Sequence, residues 1–140
     1  MSKSKHTIAL EEIARHPEKI GVSGVVDWRQ VEFPFYNNEG RMLGEVDVVL
    51  HTTEGGLYYV EYKCTDSPKA RLKASEQLVI AKQGMREQHD FHANRLVYVH
   101  NDLVPEFYIK GEFYKIEIPN TKQMDLEDKI VRLMQDSGGD

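Results

Sequence analysis

Asp47, Glu61 and Lys63 are the residues whose types and spacing can do chemistry. Asp47 lies in the β-rich run MLGEVDVVL and the other two in LYYVEYK, and TTEGG between them is a connection of hairpin length. Successive strand side chains point to opposite faces, so Glu45, Asp47 and Val49 fall together, opposite Val46, Val48 and Leu50. The same alternation groups Tyr59, Glu61 and Lys63 against Tyr58, Val60 and Tyr62. A register that pairs the two runs brings the carboxylates of Asp47 and Glu61 close enough to share a hard divalent cation, Mg2+ with Mn2+ as a substitute. Lys63 then stands beside them, able to orient an attacking water or to offset charge building on a phosphate. Phosphodiester hydrolysis needs such parts: a deprotonated water, neutralised phosphoryl oxygens and an in-line geometry.

The elements that must position these residues are legible on either side. TIALEEIARHP reads as a short first helix, with Thr7 as N-cap and Pro17 as its stop. QVEFPFY reads as a strand that Pro34 pushes to an edge or a bulge, and NNEG as the turn after it. After the hairpin, Ser67 and Pro68 are an N-cap and a first helical residue, and Ala74, Leu78, Ala81 and Met85 recur at helical spacing, so a second amphipathic helix packs on the sheet. NRLVYVH is a further strand, and FYIKGEFYKIEI a hairpin turning near Gly111 and Glu112. From about Thr121, Leu126, Ile130 and Leu133 mark a last helix before a flexible tail over 136–140. The expectation is an α/β fold with a mixed central sheet flanked by helices, forming a single domain over 1–135.

The run GEVDVVL followed by YYVEYK resembles the signature of the PD-(D/E)XK nucleases. There an acid on the second core strand is followed, about a dozen residues later, by acid-X-Lys on the third. The order of helix, three strands, helix and strand is similar to the restriction-endonuclease-like αβββαβ core of that superfamily. The likeness covers roughly residues 7–100 and is nearest in layout to archaeal Holliday-junction resolvases. It implies a divalent-metal-dependent nuclease, a DNA endonuclease of a structure-specific or repair and recombination type, with Asp47 and Glu61 as metal ligands and Lys63 assisting catalysis. Several members add a glutamate from the first helix, which by order along the chain is Glu11 or Glu12, with Glu12 favoured as a further catalytic and metal-binding residue. Gln77 matches a polar residue on the helix after the third strand, and the basic group Lys69, Arg71 and Lys73 would lie beside the site and hold phosphates. The QxxxY pattern of the exonuclease-like branch is absent, because position 81 is alanine. Relatives that cut two strands with two sites suggest a homodimer.

Eighteen Lys and Arg against twenty-three Asp and Glu leave a net charge of −5, the opposite of a basic phosphate-binding footprint. This balance supports an alternative, a catalytically inactive nuclease-fold module for binding or assembly. The net charge is blind to distribution, and a bound cation relieves a carboxylate site. No apolar stretch reaches a membrane-spanning length and MSKSKHT lacks a secretory h-region, so no membrane partner and a cytoplasmic location are expected. Cys64, the only cysteine, follows Lys63 and so faces the core as a small hydrophobe. His89 and His92 read as surface histidines, His100 as a strand-end position open to solvent, Trp28 as core or edge packing, and Glu45 as either a supplementary carboxylate or a solvated charge.

Overall fold

The computed structural model describes residues 3–116. Helix α1 (Lys5–Arg15) and a 3-10 turn (Pro17–Ile20) precede three strands, β1 (Val26–Tyr36), β2 (Met42–Thr52) and β3 (Leu57–Lys63). Helix α2 (Pro68–His89) then leads to β4 (Arg95–His100), β5 (Val104–Ile109) and β6 (Glu112–Lys115). The strands form one six-stranded sheet in chain order. All neighbours are antiparallel except β3 and β4, which α2 joins as a parallel crossover. This is the expected α/β fold with a mixed sheet and an αβββαβ core, extended by a hairpin. The last helix and the tail expected beyond Thr121 lie outside the described residues, and no helix among the described residues is long and apolar enough to cross a membrane.

Local chemistry sets the element boundaries. Ser67 caps α2 by accepting the Ala70 N–H at 3.0 Å, and Pro68 opens the helix. At α1 the cap is Ser4, three residues before the expected Thr7; its hydroxyl accepts the Thr7 N–H at 3.1 Å and brings Lys5 and His6 into the helix. Asn37 turns NNEG by accepting the N–H groups of Glu39 and Arg41, both at 2.9 Å. The β5–β6 turn is built on Lys110 and Gly111, one residue earlier than expected, at φ 49° and 87°, the two left-handed residues that a tight hairpin turn demands.

Two apolar layers sandwich the sheet. On one side Leu10 and Ile13 of α1 pack with Val48, Leu50, Val60, Tyr62, Val97 and Val99. On the other, Leu78, Ala81 and Met85 of α2 pack with Phe35, Val46, Val49, Leu57 and Tyr59. Strand β3 alternates between the layers as expected. Strand β2 does not: Val48 and Leu50 face α1, whereas Val46, of the same parity, packs under α2. The register runs on unbroken here, with Val31 paired to Val48 and Phe33 to Val46, which leaves Glu32 opposite Asp47. Glu32 adopts a left-handed φ of 53° in mid-strand. Both strands therefore exchange faces at this level, and the grouping of Glu45, Asp47 and Val49 on one face is corrected.

The α2 layer is closed by one close approach. Gly84 is buried against the Phe35 ring, and a Cβ at this position would lie 2.5 Å from Phe35 Cδ2 and 2.6 Å from Cε2. Gly84→Ala is expected to destabilise the protein by about 1–3 kcal/mol through overpacking, despite alanine's better helix propensity. Urea denaturation measures this, and adding Phe35→Leu should return part of the loss.

Candidate metal centre

The β2–β3 ladder runs from His51 and Leu57 to Val48 and Val60. One residue further on, Asp47 and Glu61 come opposite each other, and the Asp47 side chain turns into the plane between the strands. Its Oδ2 accepts the Tyr62 backbone N–H at 2.8 Å, a donor that the ladder would otherwise direct at a β2 carbonyl. The face exchange at Asp47 thus converts one rung of sheet into a carboxylate held by the main chain.

Glu61 projects beneath α2 and is 1% exposed, with its Oε1 buried and without a hydrogen-bond partner among the described residues. Burial, and then the adjacent Asp47 carboxylate, push the Glu61 carboxyl up from 4.5 to about 9 against the opposing pull of Lys63. At neutral pH, with no cation beside it, Glu61 therefore keeps its proton. A buried carboxylate oxygen without a partner, a second carboxylate next to it and a backbone donor that fixes the second one form a hard-oxygen donor set. These residues fit a divalent cation. Lys63 is half-buried on the Glu61 side and makes no ion pair among the described residues.

The structure brings Asp47, Glu61 and Lys63 together and leaves out the glutamates of α1. Glu12 is engaged by Lys19, and Glu11 by Lys3 at 2.9 Å. Instead, α1 presents His6, whose Nε2 stands 3.6 Å from Asp47 Oδ2 and whose ring lies 5.7 Å from that of Tyr62. The signal was in the sequence: with Ser4 as the cap, His6, Leu10, Ile13 and Ala14 form one helical stripe, and Glu11 and Glu12 fall off it. Gln77 directs a buried Oε1 that has no partner among the described residues, while Glu45 is an exposed strand charge.

Of the basic group at the start of α2, Lys69 and Lys73 are exposed and Arg71 is not available to phosphate. Its guanidinium bonds Glu106 at 3.0 and 2.5 Å and Asp66 at 2.9 and 3.0 Å, and it lies over the rings of Tyr98 and Phe113. His100 is buried, not open to solvent as expected. Its Nε2 meets Glu106 at 2.6 Å and its Nδ1 meets the Asn101 amide at 3.2 Å. Burial raises Asp66 and Glu106, but the hydrogen bonds from Arg71, with those from Tyr98 and His100, outweigh it and hold both below the usual carboxylate range. Among the described residues, Asp66, His100 and Glu106 are the one set of three possible ligands within 4.8 Å of each other, yet the Arg71 charge already fills that place. The network flanks the centre directly, because His100 pairs with Lys63 and Tyr98 with Glu61 in the β3–β4 register. Arg71→Met should cost about 3 kcal/mol by stranding the buried Glu106, and chemical denaturation reads the loss. The double variant Arg71→Met with Glu106→Gln should recover much of it.

The remaining candidates are structural. His89 is not a surface residue: its ring packs 5.4 Å from Phe33 and 5.3 Å from Phe91, while His92 is exposed and pairs with Asp90. Trp28 packs edge-on against Phe33 and Phe91 at the sheet edge, and Cys64 packs on the α1 side.

No family model and no curated protein matches the sequence. Among solved structures, the chain is similar to EndoMS in a complex with double-stranded DNA, at 19% identity and a TM-score of 0.40, over 71% of this chain and 37% of that one. It is also similar to a repair endonuclease from Pyrococcus abyssi, at 19% identity and a TM-score of 0.41, over 85% of this chain and 49% of that one. The chain thus spans half or less of the length of these structures.

Proposed function

We propose that this chain is a divalent-metal-dependent nuclease that hydrolyses phosphodiester bonds and acts on DNA as an endonuclease. The observation that carries the reading is the pair formed by Asp47 and Glu61, in which a buried carboxyl with one oxygen lacking a hydrogen-bond partner among the described residues sits beside a second one pinned by the Tyr62 N–H. Asp47 and Glu61 would hold Mg2+ or Mn2+, which when bound supplies charge neutralisation at the phosphate and an activated water. Tyr62 fixes the Asp47 carboxylate through its main chain, so the donor set is organised before any cation arrives. Lys63, on the Glu61 side and free of ion pairs among the described residues, offsets negative charge developing on the phosphoryl oxygens. Lys69 and Lys73 are the exposed cations at the start of α2 suited to hold flanking phosphates, with Arg71 locked into the protein and anchoring that helix end.

The test is a panel of labelled duplex, single-stranded, flap and four-way-junction DNA, with an RNA control, incubated with the pure protein in Mg2+, Mn2+ or chelator beside an Asp47→Ala control. Metal-dependent cleavage lost in the variant supports the reading. Binding of neither cation, with no cleavage across the panel, favours an inactive binding or assembly module, which the net charge of −5 suits.

A further inference from the structure

We propose that the groove between α2 and β5 holds an unpaired DNA strand leading away from the metal centre. The choice of DNA as the partner rests on the reading of the chain as a DNA nuclease.

Elements remote in the chain build the groove. Arg71, Ser75, Val79 and Lys82 recur at helical spacing, so they share one flank of α2, beside the stripe that packs on the sheet. Alternation puts Glu106 and Tyr108 on one face of β5, and the Arg71–Glu106 ion pair sets that face against the flank. A hollow of about 500 Å3 lies between Val79 and Lys82 of α2, Arg95 and Leu96 of β4, and Tyr108 and Lys110 at the end of β5. A smaller hollow lined by Ser75, Val79 and Tyr108 continues it toward Arg71. That end reaches the metal centre, because Glu106 bonds His100, the β4 partner of Lys63. From Arg71 to Lys82 the groove follows α2 for roughly 16 Å.

Its chemistry selects the occupant. Val79 and Ile109 are nearly half exposed, and Leu96, Phe107 and Tyr108 add apolar and aromatic surface to the floor. Lys82, Arg95 and Lys110 are exposed around it, and no carboxylate among the described residues lines the larger hollow; Glu76 borders only its continuation. On a chain of net charge −5 this is a local reversal of sign. A cationic rim over an apolar floor matches a strand without a partner, whose phosphates meet the rim while its bases lie on the floor. A duplex keeps its base faces stacked inside and leaves such a floor unused.

The full chain is titrated in chelator, which blocks cleavage, with a labelled oligothymidine of about 15 nucleotides and with a duplex of equal length, by fluorescence anisotropy over a range of salt. The wild type should bind the single strand more tightly. The triple variant Lys82→Gln, Arg95→Gln, Lys110→Gln should weaken it about 10-fold or more and reduce the slope of log K against log salt by about 2, near 0.7 for each cation lost. A control triple, Arg15→Gln, Lys19→Gln, Arg41→Gln, removes the same charge from other exposed positions and should change binding by less than about threefold. An abasic strand, which has phosphates but no bases, should bind the wild type about 10-fold more weakly. Thermal melts show that both triple variants are folded. Tighter binding of the duplex, equal losses in the two triples, or undiminished binding of the abasic strand overturns the proposal. Displacement of the strand by oligoglutamate at equal charge also overturns it, in favour of an acidic protein partner. Cleavage separates this proposal from the nuclease reading. If the wild type cuts DNA with Mn2+ while the groove triple binds the strand normally, the groove alone fails; if binding needs the groove but nothing is cut, the nuclease reading fails and the groove stands.

Discussion

Asp47→Ala protein is expected to leave every substrate in the panel uncut in Mg2+ or Mn2+, with any residual rate at least about 1,000-fold below wild type. A metal clamp supplies several kcal/mol of transition-state stabilisation, and each 1.36 kcal/mol lost is a factor of ten. The loss should come without unfolding, because what Asp47 gives the fold is one hydrogen bond, from the Tyr62 N–H, at a cost of about 1–3 kcal/mol. Asp47→Asn sharpens the comparison, since it keeps an oxygen for the Tyr62 N–H, bonded at 2.8 Å in the native chain, and removes only the charge. If Asn restores the fold-dependent melting but not cleavage, the carboxylate acts as a ligand. Gel assays with end-labelled DNA and thermal melts in chelator measure the two sides, and full metal-dependent activity in either variant would falsify the assignment of Asp47.

The second large effect is on stability against pH in chelator. Glu61 is pushed from 4.5 to about 9, so between those values the folded protein holds a proton that the unfolded chain has released. The stabilisation is complete below about pH 4.5 and is lost as pH rises toward 9, a window that covers the physiological range. Glu61→Gln, neutral at every pH, should abolish this slope and be the more stable protein at pH 8, by on the order of a few kcal/mol. Saturating Mn2+ should reverse the ranking, because only the wild type has the charged ligand. Entry of the cation must also expel the Glu61 proton, so calorimetry in buffers of different ionisation enthalpy should register about one proton released per ion bound near neutral pH. A flat stability profile for the wild type between pH 5 and 8 in chelator would remove the basis for this expectation.

Much of this arrangement was legible because its determinants are local. The Ser67–Pro68 start of α2, the Ala74-Leu78-Ala81-Met85 stripe and the alternation of β3 each depend on neighbours within a few residues, and each appears as read. What escaped the sequence depends on partners remote in the chain. The face exchange at Asp47 is set by Glu32 on another strand, and the burial of His100 by Glu106 and by Arg71 of α2. Arg71 reads as a phosphate ligand until the parallel crossover brings β4 and β5 under it. The choice between Glu11 and Glu12 for α1 turned on a cap three residues away: starting the helix at Thr7 excluded His6 before its phase could be compared with Leu10.

Strand β1 is an outer strand of the sheet, paired on one side only, with β2. At alternate positions along the free edge of β1, Glu32 is twisted into the left-handed region, Pro34 has no N–H to offer, and the Tyr36 N–H is taken by Gln88 of α2 at 2.6 Å. Over positions 32–36 an edge so interrupted is a poor template for another strand, which disfavours lateral aggregation along that half of β1. Two copies of this protein therefore gain little from continuing their sheets through that half of β1.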